Sequence, residues 1–273
     1  MWPDLFSIGP VTLFGYTLGP LTLHTFGLMM AIGFWAAAWV GQKELERRGL
    51  KGDFAWTIMG WAVFGGLGGA KLWAVLQEPA AFFADPVTTT FSGSGWVWFG
   101  GLLGGTAAVT YAIRRAGLPW LVVVDCVAPG MALGHAIGRI GCQLAGDGDW
   151  GSVSQVPWAM AYPNAIVGWP HPPGVRVHPT PVYEMFAYLA VFGILWRMRT
   201  RPHADGALLW WYLVLACGAR FVIEFWRINP IVAFGLSTAQ LTSLALMAFG
   251  AWRLLATRGV PAVADERLAP ARR

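Results

Sequence analysis

The sequence predicts an all-α integral membrane protein with about seven transmembrane helices and a loop region over 141–180 on the outer face. Three observations predict it. Only 12% of residues are charged and 56% are hydrophobic, with mean hydropathy +0.52, whereas a soluble domain carries about 25% charge. The apolar residues fall into seven long blocks. The basic residues alternate between dense and sparse loops, as membrane topology requires.

The blocks run over 21–41, 54–77, 96–113, 119–140, 181–197, 206–224 and 236–255. Each reaches or approaches the ~20 residues that span a hydrocarbon core. The fourth is interrupted by Pro129 and glycines, and Gly141 is a candidate helix stop. "FGGLGGAK" (64–71) and "GGLLGG" (100–105) read as small-residue stretches that let helix backbones approach. "HPTPVYE" (178–184) offers Thr180 as an N-cap and Pro181 as a first helical residue. The 17 tryptophans suit membrane interfaces. The three cysteines, Cys126, Cys142 and Cys217, lie in or beside apolar blocks and suggest no disulfide framework. "MWPDLFSIGPVTLFG" lacks the basic start of a cleaved signal peptide.

Fourteen basic residues follow blocks 1, 3, 5 and 7, among them Lys43, Arg47, Arg48, Arg114, Arg199 and Arg253; the opposite loops hold two, Arg176 and Arg227. Positive charge stays inside. The expectation is one polytopic membrane domain over 1–257, N-terminus outside and C-terminus cytoplasmic, with a polar tail over 258–273. The net charge of +5 therefore records topology, not nucleic-acid binding.

On that topology the intramembrane polar residues gather at the outer end. His24, Lys71, Arg139, His178, Tyr183, Glu184, Arg220, Glu224 and Arg227 all fall there; Asp125 lies deeper, toward the inner face. Ionisable groups in lipid cost ~3 kcal/mol or more each and persist when paired or functional. Convergence from several helices argues for a site. Arg220, Glu224 and Arg227 share one helix stripe, and so do His135, Arg139 and Cys142 if the helix continues. Arginine's planar fork suits phosphate, and phosphate at an outer leaflet means a phospholipid headgroup. Simpler readings stand beside this one. Cys142 reads as a small buried residue, Asp147 and Asp149 as turn or loop anchors, Asp125 as a structural hydrogen-bonding group, and Lys71 as the partner of an acid.

Several stretches, in order, resemble the prolipoprotein diacylglyceryl transferase family: "FSIGPVTL", "LTLHTFGLMMAIGF", "VVDCVAPGMALGHAIGRIGCQLAGDGDWG", "HPTPVYE" and "GARFVIEFWR". The resemblance implies transfer of diacylglycerol from phosphatidylglycerol to the lipobox cysteine of a prolipoprotein in the bacterial inner membrane, with glycerol phosphate released and no metal or other cofactor. It implies that Arg139, Arg220 and Glu224 carry the chemistry, and His135, one turn before Arg139, is the nearest candidate base. Asp147, His178, Tyr183, Glu184, Arg227 and His24, with Arg139, would bind substrate. Phe99, Phe26, Cys142 and Ala216 stand where the family often has His, Tyr, Asn and Tyr. His135 would then accept the thiol proton in place of the histidine missing at Phe99, with His178 as a rival. Two other readings compete. A catalytically impaired paralogue would bind lipid or precursor without transfer. A transporter would need a polar path to both faces.

Overall fold

The computed structural model describes residues 1–13, 16–18, 21–91 and 96–257; the tail expected over 258–273 lies outside the described residues. Seven long helices stand where the apolar blocks are: α1 (Thr25–Arg47), α2 (Phe54–Gln77), α5 (Trp98–Arg115), α6 (Trp120–Ala145), α7 (Thr180–Met198), α8 (Ala207–Ile223) and α9 (Thr238–Ala256). The short helices α3 (Pro79–Ala84) and α4 (Pro86–Phe91) link α2 to α5.

Five of the seven are long and apolar enough to cross a membrane: α1, α2, α6, α8 and α9. Two arginines and four glycines dilute α5, and Pro181, Glu184 and Arg197 dilute α7. The helices are immersed in an apolar medium by the evidence of their outer faces. In α2, only Ala55, Ile58 and Ala70 are buried among 24 residues, while Phe64, Leu67, Leu72 and Leu76 are exposed. Water would not tolerate such a surface.

Small residues set the close crossings. A Cβ on Gly69 would lie 2.2 Å from the Gly100 carbonyl oxygen, and one on Gly104 would lie 2.3 Å from that of Gly65. The two glycine stretches therefore pack α2 directly on α5. Along α6, Ala128, Ala132 and Ala136 recur every fourth residue and admit Tyr188, Val191 and Leu195 of α7 and Leu208, Tyr212 and Ala216 of α8. On another face of α6, Gly130 and Gly134 bring α1 into backbone contact at Ala37 and Gly33.

Three expectations are corrected. Pro129 does not interrupt α6, which runs unbroken through 26 residues. Gly141 does not end it either; Gly146 does, with φ of +65°. A helix that continues past Gly141 keeps His135, Arg139 and Cys142 on one stripe. Thr180 is not a cap: it is the first residue of α7, preceded by Pro179, and its hydroxyl donates to the Asp149 carbonyl.

Short strands appear where no alternation marked them. β1 (Asp4–Ile8) pairs antiparallel with β4 (Leu21–His24), and β2 (Val11–Leu13) with β3 (Tyr16–Leu18). β5 (Ile231–Ala233) and β6 (Leu236–Ser237) form a hairpin between α8 and α9. The segment between α6 and α7 is held by its own core of Trp150, Tyr162 and Val177. Isolated bridges tie Gly151 to Arg227 and Val153 to Val177.

At the other end of the bundle, fully buried Asp125 accepts the backbone N–H groups of Gly206, Leu208 and Leu209, which open α8. Glu44, also buried, pairs with Arg47 and Arg199, each at 2.8 Å. Lys71 donates to the Thr89 carbonyl at 3.2 Å and stands 4.5 Å from the Trp96 ring centre.

The glycine crossing yields a paired prediction. Gly69→Ala should lower thermal stability in detergent by about 1–3 kcal/mol through overpacking. Gly68→Ala, which meets nothing within 4 Å, should leave stability unchanged or raise it by roughly 0.5–1 kcal/mol. Equal transitions for the two variants would contradict the crossing.

Candidate functional site

Three helix ends and one loop meet at a single cluster of charge. The last turns of α6 deliver Arg139, and the first turns of α7 deliver Glu184. The end of α8 and the turn after it deliver Arg220, Glu224 and Arg227. The loop after α6 returns Asp149.

Glu184 has no exposed surface. Its Oε1 accepts from Arg220 Nη1 at 3.0 Å and lies 3.5 Å from Arg227 Nη1; its Oε2 meets Arg139 Nε. Glu224, nearly as buried, lies 2.6 Å from Arg220 Nη1 and 3.6 Å from Arg227 Nε through Oε2. Its Oε1 accepts from Ser237 Oγ at 2.6 Å and Asn229 Nδ2 at 2.8 Å. Asp149 gives Oδ2 to Arg139 and Oδ1 to Arg227. Three guanidiniums and three carboxylates thus form one neutral network. Burial pushes the Asp149 carboxyl up, but Arg139 and Arg227 outweigh that and hold it below its ordinary value. It is ionised at neutral pH.

The sequence-predicted residues divide into those the network joins and those it does not. Arg139, Arg220, Arg227, Glu184 and Glu224 are in it. His178 and Tyr183 form a neighbouring aromatic group: His178 Nδ1 and the Tyr183 hydroxyl are 2.9 Å apart, and Trp158 Nε1 donates to that hydroxyl at 2.6 Å. Gly151 binds this group to the site, because its N–H donates to the His178 carbonyl at 2.8 Å, and a Cβ there would lie 2.3 Å from the Trp226 carbonyl oxygen. His24 stands apart on β4, paired with Asp4 at 2.6 Å.

His135 lies one turn before Arg139 along α6. Its Nδ1 and the Tyr212 hydroxyl are 2.7 Å apart, and its ring centre is 5.0 Å from that of Tyr188. Both tyrosines are buried, yet His135 and Met131 are exposed. The Met131–His135–Arg139 stripe therefore borders open space, while the Ala128–Ala132–Ala136 stripe is sealed. Along the α6 axis, Asp125 and Arg139 are about 21 Å apart. Apolar core separates the two charged ends, which does not suit a polar path between faces.

The loop acid of the network is Asp149, which replaces Asp147 in that part. Asp147 accepts the Asp149 N–H at 3.2 Å and so shapes the turn. Asp147 and Asp149 flank Gly148 in "GDGDWG"; Gly148, at φ +93°, turns the chain so that the second acid reaches the arginines. Cys142, Asp147 and Asp149 bring their ligand atoms within 4.8 Å of one another. Arginines already engage both Asp149 oxygens, so a cation there would compete with two guanidiniums. Arg139 Nη1 also lies 3.6 Å from Cys142 Sγ. Of the other three departures, Phe26 packs on Gly141, 3.5 Å from the position its Cβ would take. Phe99 opens α5 with its ring against Trp98, and Ala216 is buried on α8.

Removing one ion from a buried set leaves its partners uncompensated. Glu184→Ala should therefore destabilise the protein by about 3–5 kcal/mol, read as a lowered thermal transition in detergent. Glu46→Ala, on exposed Glu46, should leave the transition in place. Equal responses would show that the network is not a structural element.

A family model described as "Prolipoprotein diacylglyceryl transferase" matches residues 13–256. The chain is 34% identical over 267 residues to the phosphatidylglycerol–prolipoprotein diacylglyceryl transferase of Nitratidesulfovibrio vulgaris (strain DSM 19637 / Miyazaki F), covering 92% of this chain and 95% of that one. It is 31% identical over 252 residues to the protein of the same name from Methylobacillus flagellatus, covering 87% and 93%. The Clostridium tetani protein of that name is 28% identical over 252 residues, covering 92% and 95%.

Proposed function

Because the chain belongs to the prolipoprotein diacylglyceryl transferase family, we propose that it moves the diacylglyceryl group of phosphatidylglycerol to the lipobox cysteine thiol of a prolipoprotein. The observation that carries this reading is the convergence of Arg139 and Arg220 on buried Glu184, beside an open stripe of α6. In the reaction a thioether C–S bond forms, the C–O bond to phosphate breaks, and glycerol phosphate leaves with the electron pair.

Two demands follow from that chemistry. The leaving phosphate needs fixed positive charge, strongest where water is excluded. Arg139 and Arg220 supply it, and Glu184 and Glu224 hold both guanidiniums in place before substrate arrives. The thiol, with an ordinary pKa of ~8.5, must lose its proton to attack. His135 takes that proton in this reading, since it borders the same open stripe one turn from Arg139. Tyr183 and His178 line the outer margin for headgroup or peptide. Asp147 supports the turn beneath them, and His24 belongs to the rim formed by β1 and β4. The site faces the outer side of the bacterial inner membrane, as the fourteen-to-two basic asymmetry supports.

The reaction is tested with purified protein, labelled phosphatidylglycerol and a lipobox peptide. Label should appear on the peptide cysteine. Arg139→Lys and Arg220→Lys keep charge but lose the fork, and each should slow transfer by about 10²-fold. His135→Gln should lose activity at neutral pH and recover as pH nears the thiol's own pKa. No transfer by the folded parent protein would refute the reading. Parent rates in both lysine variants would refute fork recognition.

Orientation is tested on spheroplasts with the native cysteines removed. Gln155→Cys, exposed in the loop after α6, should react with an impermeant thiol reagent on intact cells. Arg201→Cys, exposed between α7 and α8, should react only after permeabilisation. The reverse pattern would put the site on the wrong face for the proposed substrate.

A further inference from the structure

The three acids of the network are not equivalent. The Glu184 side chain is 0% exposed and that of Glu224 2%, whereas that of Asp149 is 29% exposed. Glu184 answers all three arginines. Glu224 is fixed by Ser237 and Asn229 as well as by arginine. Among the described residues, the Asp149 carboxylate pairs with Arg139 and Arg227, one on each oxygen.

The backbone around Asp149 does not depend on that carboxylate. Its N–H donates to Asp147 Oδ1, and its carbonyl accepts from Thr180 Oγ1. The next residues are tied separately, Gly151 N–H to the His178 carbonyl and Ser152 N–H to the Trp226 carbonyl at 2.7 Å. One short side chain can swing out by a rotamer change while the loop stays anchored.

A phosphodiester offers arginine two non-bridging oxygens that share one negative charge, as a carboxylate does. The resident network is already neutral, so an arriving phosphodiester would leave an excess negative charge in a partly buried site unless one acid gave way. Only Asp149 has the exposure to do so. Resting on the transferase reading, we propose that Asp149 is a resident counter-ion, occupying the phosphate's place on Arg139 and Arg227 and displaced by the lipid headgroup. It is a positioning residue: it keeps the arginines aligned in the empty site and sets how strongly an anion must bind to enter.

The test compares parent protein, Asp149→Asn and Glu46→Gln in detergent, titrated with inorganic phosphate and with glycerol 1-phosphate, alongside the KM for phosphatidylglycerol in mixed micelles. Asp149→Asn removes the competing charge and keeps the side chain's shape. It should bind glycerol phosphate about 10-fold tighter, some 1.4 kcal/mol, and lower the KM for phosphatidylglycerol. Glu46→Gln removes the same charge from an exposed residue at the opposite end of the bundle and should match the parent. A purely structural role for Asp149 would weaken binding in its variant. Unchanged or weaker binding in Asp149→Asn, with the parent active in transfer, would overturn the proposal. So would tightening for inorganic phosphate alone, or equal tightening in Glu46→Gln. Asp149→Ser, read against the same criteria, decides the matter if the asparagine variant does not fold. Tighter anion binding in Asp149→Asn, with a parent protein that transfers no lipid, would keep the counter-ion and reject the transferase reading.

Discussion

Glu184 is a carboxylate with no exposed surface at the junction of α6, α7 and α8, and a charge so placed has to be answered in full. An ion left unpaired there would cost several kcal/mol. Arg139, Arg220 and Arg227 answer it from two other helix ends. The pairing fixes how far each helix is rotated and how high it stands against its neighbours. The same guanidiniums are thereby held as preformed donors, which the leaving phosphate of the proposed reaction requires. Structural and chemical roles cannot be separated at this site, because the acids that stabilise the fold also aim the arginines.

The scaffold makes that junction possible by thinning the helices elsewhere. Alanines at 128, 132 and 136 let α7 and α8 close on α6, and the closer they come, the deeper Glu184 is buried. Glycines at 130 and 134 do the same for α1. The opposite end of the bundle has its own anchors in Asp125 and Glu44. Between the ends lies apolar core, and the site opens sideways along Met131, His135 and Arg139. A lateral opening suits a substrate that resides in the bilayer.

Much of this was legible in the sequence, for physical reasons that also mark where legibility stopped. The seven long helices follow the apolar blocks, and five of them are apolar enough over their length to cross a membrane. Arg139, Glu184, Arg220, Glu224 and Arg227 stood out because charge in such blocks is rare and their spacing shares helix faces. The short strands of the N-terminal arm and the helices α3 and α4 left no periodic trace, since a few residues carry too little pattern. Pro129 misled because tertiary packing on both sides of α6 overrides a local breaker. Asp149 was missed for Asp147 because a positive-φ glycine, not the residue type, decides which acid reaches the arginines. Buried Glu44 was missed because its partner Arg199 lies far along the chain.

The family match and the geometry support one account, in which a guanidinium cluster prearranged by buried acids receives the headgroup phosphate. An experimental structure of the protein with phosphatidylglycerol bound tests it most directly. The account predicts phosphate oxygens within about 3 Å of Arg139, Arg220 and Arg227 nitrogens, with Glu184 still buried beneath them and the lipid's glyceryl carbon facing the His135 stripe. A headgroup seated elsewhere, with the arginine–carboxylate network intact and empty of phosphate, would contradict it.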